Sequence, residues 1–361
     1  ASGSTYLRGD NTWATVSTQD TLSNRNLIIN GDFQIRQKGD VTWNTVSSNV
    51  KQIPDRWQGW TNVSGFSIDV TAGTAPVDKG FGSCIKLDNN AAVTPGTNDL
   101  CQYRTVLEGR DCQRFKFGSS DAEDLTLSFW CKASETAAGQ YGIQLMITDV
   151  GSSGHQCNQK FTATTSWTKH TITFPGTGSI ASAGEGIIDG HEAGLYVYIC
   201  LAAGSGKLSG SGTNTWAVGG SHVWPTGQHN FLGNTSNELE FTGFQLETGD
   251  TATEYEHKTY DEEYWRCRRY YQKTDYGQIG YGSTDSGSGW AYMSFTLSPP
   301  MRTTPSKTMG GTTVNGVSGS QSTAVFSHNG QCDHLLWQVS GSGTDIYANG
   351  VNAEITLDAS L

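Results

Sequence analysis

Apolar and polar residues alternate in short runs between stretches rich in Gly, Ser and Asn, the period-two signature of half-buried strands. Between residues 25 and 258 the runs "GFSIDV", "SCIKL", "DLTLSFWCKAS", "YGIQLMIT", "WTKHTITF", "GLYVYICLAA" and "NELEFTGFQLE" each predict a strand. Seven or more short strands at this spacing predict a β-sandwich or jelly roll. The stretch "NRNLIINGDFQIRQKG", residues 24 to 39, departs from the rule. Leu27, Ile28 and Ile29 predict a strand buried on both faces, and Asn30-Gly31 offers a tight turn or bulge with positive φ. Phe33 and Ile35 then return to the inward face.

Residues 203 to 237 form a long Gly-rich loop that nonetheless carries Trp216, Trp224 and Phe231, and long loops in compact domains are usually functional. "TYDEEYWRCRRYYQK", 259 to 273, is the one convincing helix. Thr259 and Glu262 make a capping box, acids fill the first turn, and Arg266, Arg268 and Arg269 follow where the helix dipole favours cations. Tyr260, Tyr264, Cys267 and Tyr271 share a face of that helix. Beyond it β grammar resumes. The fold class is therefore mostly β: a connector at 1–24, a jelly-roll or β-sandwich domain at 25–258, a short connecting helix at 259–273 and a smaller C-terminal β-sandwich domain at 274–361.

Composition agrees. The 361 residues include 45 Gly, 4 Met and only 16% charged residues, which suits short strands and tight turns better than amphipathic helices. A net charge of −11 with no Lys/Arg block argues against nucleic acid or an anionic membrane as partner. No run of 18 apolar residues exists, so no membrane insertion is expected. The chain opens on Ala1, which suggests a processed chain or the ordered part of something longer. The eight cysteines lie at least 11 residues apart with no CxxC pair, against a zinc ribbon, and a domain with its own core needs few staples, so mostly reduced thiols are expected.

"DGHE" at 189 to 192 and "HQC" at 155 to 157 hold ligand-type residues, but neither has the spacing that closes a zinc site, and no nucleophile elbow or phosphate loop is present. No catalytic residue is assigned and no cofactor is expected. The aromatics carry more, because sugars stack their C–H faces on Trp and Tyr rings while amides and carboxylates take the hydroxyls. Trp60, Trp216 and Trp224 are candidate glycan-binding residues of the first domain, with Trp57 a core anchor. Trp290 and Tyr292, on one strand face by period two, are candidates in the last, where either face also suits a core.

"NLIINGDFQI", "DRWQGW" and "FTGFQLETGDTATEYEHKTYDEEYWRCRRYYQK" together resemble the carbohydrate-binding-module-like domain of bacteriophage tail fibres and related virion proteins. The segment "YLRGDNTWATVS" is similar to one that often precedes such a domain. The resemblance covers some 230 to 250 residues and implies a virion location, a homotrimer, other tail proteins as partners and adhesion to a host surface polysaccharide. Threefold contacts are then expected at the helix and the connector. In related modules the first and last strands are neighbours and a calcium often lies near them. Here the last strand lacks the acidic residues, leaving Asp32 as the only local carboxylate, which argues against the ion. Two other readings stay open: a structural or decoration protein of head or tail that binds no sugar, and a glycan depolymerase working through paired carboxylates.

Overall fold

The computed structural model describes residues 5–7, 9, 13–15, 24–46, 50, 51, 53–147, 154–178, 187, 189–209, 214–218, 223–274, 278–283, 289–310, 313–315, 321–328, 331–341, 345–350 and 354–361. Of these, residues 5–7, 13–15, 50, 51, 274–296 and 309–355 are described by backbone alone.

The strands, in chain order, begin with β1 (Thr5–Leu7), β2 (Trp13–Thr15), β3 (Val41–Trp43), β4 (Val50–Lys51), β5 (Trp57–Thr61), β6 (Ile68–Ala72), β7 (Ile85–Asn89) and β8 (Leu100–Glu108). They continue with β9 (Leu125–Ala133), β10 (Gly139–Ile147), β11 (His155–Ala163), β12 (Thr168–Phe174), β13 (Ala193–Ala203), β14 (Ala217–Val218) and β15 (Glu238–Thr248). Helix α1 (Tyr260–Arg268) follows. Then come β16 (Tyr271–Thr274), β17 (Gln278–Ser283), β18 (Gly289–Met301), β19 (Ser306–Gly310), β20 (Thr313–Asn315), β21 (Gln321–His328), β22 (Gln331–Gly341), β23 (Asp345–Gly350) and β24 (Glu354–Asp358).

Two sheets make the sandwich. One runs β14-β11-β10-β13-β8-β5-β4 and the other β12-β9-β15-β7-β6-β3. Each of the seven predicted runs is a strand, and the alternation within them turns Leu127, Phe129 and Cys131 of β9, and Leu195, Val197 and Ile199 of β13, into one shared core. At its centre Trp57 stacks on Tyr103 at 5.2 Å and Phe129 on Phe244 at 4.7 Å. Seven of the eight cysteines have described side chains; all seven are buried, and none is in a disulfide with another. The C-terminal part is also β and antiparallel, in three three-stranded sheets: β16-β24-β19, β17-β23-β20 and β18-β22-β21.

Two sequence expectations need correction. Residues 24–40 hold no strand. Leu27 N donates to Leu246 O at 3.0 Å, but the Asn26 side chain takes the other ladder positions, its amide donating to Phe244 O at 3.0 Å and its oxygen accepting from Leu246 N at 3.3 Å. The segment lies beside the last strand, as the resemblance implies, with a side chain doing what a second strand's backbone would. Asn30, at φ 59°, is the turn foreseen at this break, and it is wholly buried. Its amide donates to the carbonyls of Ile35 and Asp55, both at 2.9 Å, its oxygen accepts from Ile35 N at 3.0 Å, and its backbone N–H meets the Glu263 carboxylate of α1.

The helix is also shorter than foreseen. Thr259 Oγ1 accepts from Glu262 N at 3.3 Å, as the capping box requires, but the helix ends at Arg268 and Tyr271 already belongs to β16. Its buried residues are Glu263 and Cys267, whereas Tyr260 and Trp265 are 57% and 45% exposed. What stops it is the demand on the next residues. Arg269 forms a two-pronged pair with Glu108 of β8 at 2.8 and 2.9 Å, and Tyr270 Oη donates to the same carboxylate at 2.5 Å. The Arg56 guanidinium lies 3.4 Å from the centre of the Tyr270 ring. The Arg269 carbonyl accepts from Arg302 N and that of Tyr270 from Ala359 N. The "RYY" run is thus the joint between the sandwich and the C-terminal sheets.

Asp55, wholly buried, accepts from Gln37 N at 2.8 Å, yet burial pushes its carboxyl up to about 6. The folded chain holds this proton more tightly than the unfolded one. Its contribution is present below about pH 4 and lost as pH rises through about 6. Relative to Asp55→Asn, the wild type should lose roughly 2–3 kcal/mol of unfolding free energy between pH 4 and 7, read from urea titrations at each pH. Parallel pH profiles for the two proteins would contradict this.

Candidate functional site

The outward face of the seven-stranded sheet carries a polar row that crosses five strands. Asn158 of β11 pairs with Gln144 of β10, which pairs with Tyr198 of β13, then Arg104 of β8, then Gln58 of β5. Gln144 Nε2 donates to Asn158 Oδ1 at 2.6 Å, and Arg104 donates to Tyr198 Oη at 3.1 Å and Gln58 Oε1 at 3.0 Å. Such a row of amides and aromatic rings is chemically suited to sugar, but the chain covers it. Residues 223–228 of the Gly-rich loop lie over it, so that Asn158 donates to Val223 O at 2.9 Å and Gly142 N to Gln228 Oε1 at 2.7 Å. Gln58 Nε2 donates to the Leu361 carbonyl at the end of the chain.

That cover decides the fate of the aromatic candidates. Trp224 is wholly buried against Leu100, Met146, Tyr198 and Cys200, and cannot stack on a ligand in this conformation, which corrects its assignment. Trp60 packs, partly buried, against the same cluster. Trp216 anchors the loop: its indole N–H donates to Pro175 O at 2.6 Å and its ring meets Phe117 edge-on at 5.5 Å. Trp290 and Tyr292 lie on β18 opposite Ser340 and Gln338, and their side chains fall outside the described residues. Of the three whose side chains are described, Trp60 and Trp224 share one cluster, while Trp216 packs against the main core.

Asp32 accepts from Gln34 Nε2 at 3.2 Å, and burial followed by the charge of Glu263 raises its pKa. Among the described residues no group of three or more His, Cys, Asp or Glu could hold a metal ion.

An accessible site lies instead on the outward face of the six-stranded sheet, and it was missed in the sequence. Period two places Leu127, Phe129 and Cys131 of β9 in the core and therefore Ser128, Trp130 and Lys132 outside. Trp130, half-buried, lies in register between Lys169 of β12 and Thr242 of β15. Here β15 bulges at Gly243, with φ 66°, where an added Cβ would sit 2.5 Å from the Phe81 ring. The bulge opens a cavity of about 230 Å³. Trp130, Tyr255 and His257 line it with rings, and Lys79, Lys169 and Glu254 with polar ends. Phe81 holds the aromatic side in place, 5.1 Å from Tyr255 and 5.4 Å from His257, and Lys79 Nζ lies 5.8 Å from the Trp130 ring centre. A partly exposed indole ringed by a carboxylate, ammoniums and an imidazole can stack on a sugar's C–H face and hydrogen-bond its hydroxyls.

No protein-family model matches the chain, and no curated protein matches it. Solved structures do. A CBM4 module is 12% identical over 61% of this chain and 97% of its own, with a TM-score of 0.29. The family 11 carbohydrate-binding module of a Clostridium thermocellum cellulosomal cellulase is 12% identical over 57% and 99%, with a TM-score of 0.30. The enzymatically active domain of tailspike protein 4 from bacteriophage CBA120 is 10% identical over 62% of this chain and 21% of its own, with a TM-score of 0.32.

Proposed function

We propose that this chain is a glycan-binding adhesin of a phage virion, with Trp130 as the stacking platform and Lys79, Lys169 and Glu254 as hydroxyl partners. The observation that carries the binding half is the Trp130 cavity, an aromatic and polar pocket on the accessible outer face of a rigid sheet. The virion half is supported by the sequence resemblance alone. Adhesion then works by multiplicity, in which weak single sites repeated in a homotrimer, and over several fibres, add avidity without a tight contact.

Helix α1 favours a second reading, in which the chain serves chiefly as a packing element of the virion. Tyr260 and Trp265 present exposed rings beside Tyr264, itself stacked on Tyr260 at 6.0 Å, as a surface awaiting another chain would. The first reading predicts hits for the purified protein on an array of bacterial surface glycans, and a solution mass near three chains by light scattering. An array with no hits, from a trimer, would leave the packing reading standing.

A further inference from the structure

At the joint itself, lined in part by Glu108, Arg269 and Tyr270, lies another cavity, of about 340 Å³, at the lower end of the range of small-ligand pockets. Four arginines line it: Arg110, Arg114, Arg266 and Arg269. That is a concentration of positive charge in a chain whose net charge is −11. The acids at hand do not cancel it. Glu108 is committed, accepting from Arg269 and Tyr270 and pairing with Arg110 at 3.2 Å. Arg266 pairs with Glu263 at 3.2 Å, leaving Asp111 as the other carboxylate of the lining. Burial and then the charge of the neighbouring Glu108 raise the pKa of the Asp111 carboxyl. Four cations therefore face three carboxylates, Glu108, Glu263 and Asp111.

The chemistry of the lining suits an oxyanion. Arg110 and Arg114 belong to the 3₁₀ turn Gly109–Phe115 that follows β8, Arg266 and Arg269 come from α1 and its cap, and Leu27 and Ile29 supply an apolar side. Guanidiniums converging from two elements on a half-enclosed space are the usual means of holding a carboxylate or phosphate. Glu108 and Arg269 hold the joint together, so the ligand-facing work falls to Arg110 and Arg114, whose side chains are less committed to the core: Arg110 is 41% exposed and Arg114 donates to Asn24 O at 2.9 Å.

We propose that this cavity is an oxyanion site that takes the carboxylate or phosphate group of a small polar ligand. The site does not rest on the adhesin assignment, since an anion held here with no glycan at Trp130 leaves it intact. The test is a thermal-shift titration of the full chain with inorganic phosphate, glucuronate, glucose, and sodium chloride at matched ionic strength.

Phosphate, glucuronate or both should raise the melting temperature saturably while glucose and chloride do not, and the arm that responds identifies the source of the anion. In Arg110→Ala/Arg114→Ala the half-saturating concentration should rise about tenfold or more, through the loss of charge-assisted hydrogen bonds. Arg114→Lys should retain part of the response and guards against a folding defect in the double variant. The absence of any saturable shift beyond that of chloride, or an unchanged midpoint in a folded double variant, would overturn the site.

Discussion

Glu108→Ala should destabilise the protein by about 3–5 kcal/mol, the range for removing one partner of a buried charged pair. Glu108 is 1% exposed, and three groups converge on its carboxylate: the two-pronged Arg269, the Tyr270 hydroxyl and Arg110. Burial pushes its pKa up, but the hydrogen bonds from Arg269 and Tyr270, with the charges of Arg269 and Arg56, outweigh that and leave it below the ordinary carboxylate value. Truncation strands a buried tyrosine hydroxyl and leaves Arg269 beside Arg56 without the carboxylate between them. Because the carbonyls of Arg269 and Tyr270 also carry the hydrogen bonds to Arg302 and Ala359, the loss should extend across the joint. Urea unfolding should show a lower midpoint and a separate early transition of the C-terminal sheets, whereas a loss under about 1 kcal/mol would show that the joint is held elsewhere.

Gly31→Ala should cost about 3 kcal/mol or more, at the top of the range for inserting a methyl group into a filled space. A Cβ at position 31 would collide with the carbonyl oxygen of Phe244, and Gly31 O accepts from Phe244 N at 2.9 Å, so neither backbone can retreat without breaking the other's hydrogen bond. Gly82→Ala is the matched control: nothing lies within 4 Å of its Cβ, and its stability should stay within about 0.5 kcal/mol of wild type. Equal melting temperatures for the two variants would contradict the close approach at Gly31.

The break at Asn30-Gly31 is therefore a structural node. Sequence pattern found its turn but mistook the preceding apolar residues for a strand, because no periodicity reveals that the Asn26 side chain fills the ladder. The strands themselves were legible wherever one face is buried, since period two is a direct image of burial. β8, "LCQYRTVLE", escaped notice because its outward Gln102 and Arg104 lie under a cover supplied by distant chain and its nine residues are all buried. The same long-range cover turned Trp224 from a surface candidate into core. Trp130 could have been found by strict alternation within "LSFWCKAS", where Phe129 and Cys131 face in. The "RYY" joint could not, because Glu108 stands 161 residues from Arg269.

The proposed glycan site depends on Trp130 as its stacking platform. The direct measurement is the affinity of wild type and Trp130→Ala for the strongest hit of a glycan array, by titration calorimetry, with melting temperature measured in parallel. Loss of a stacking ring at the centre of a small site should weaken binding about tenfold or more, while a partly exposed side chain on a sheet's outer face can be removed at less cost in stability than a core aromatic. Undiminished affinity in a normally folded Trp130→Ala protein would contradict the claim.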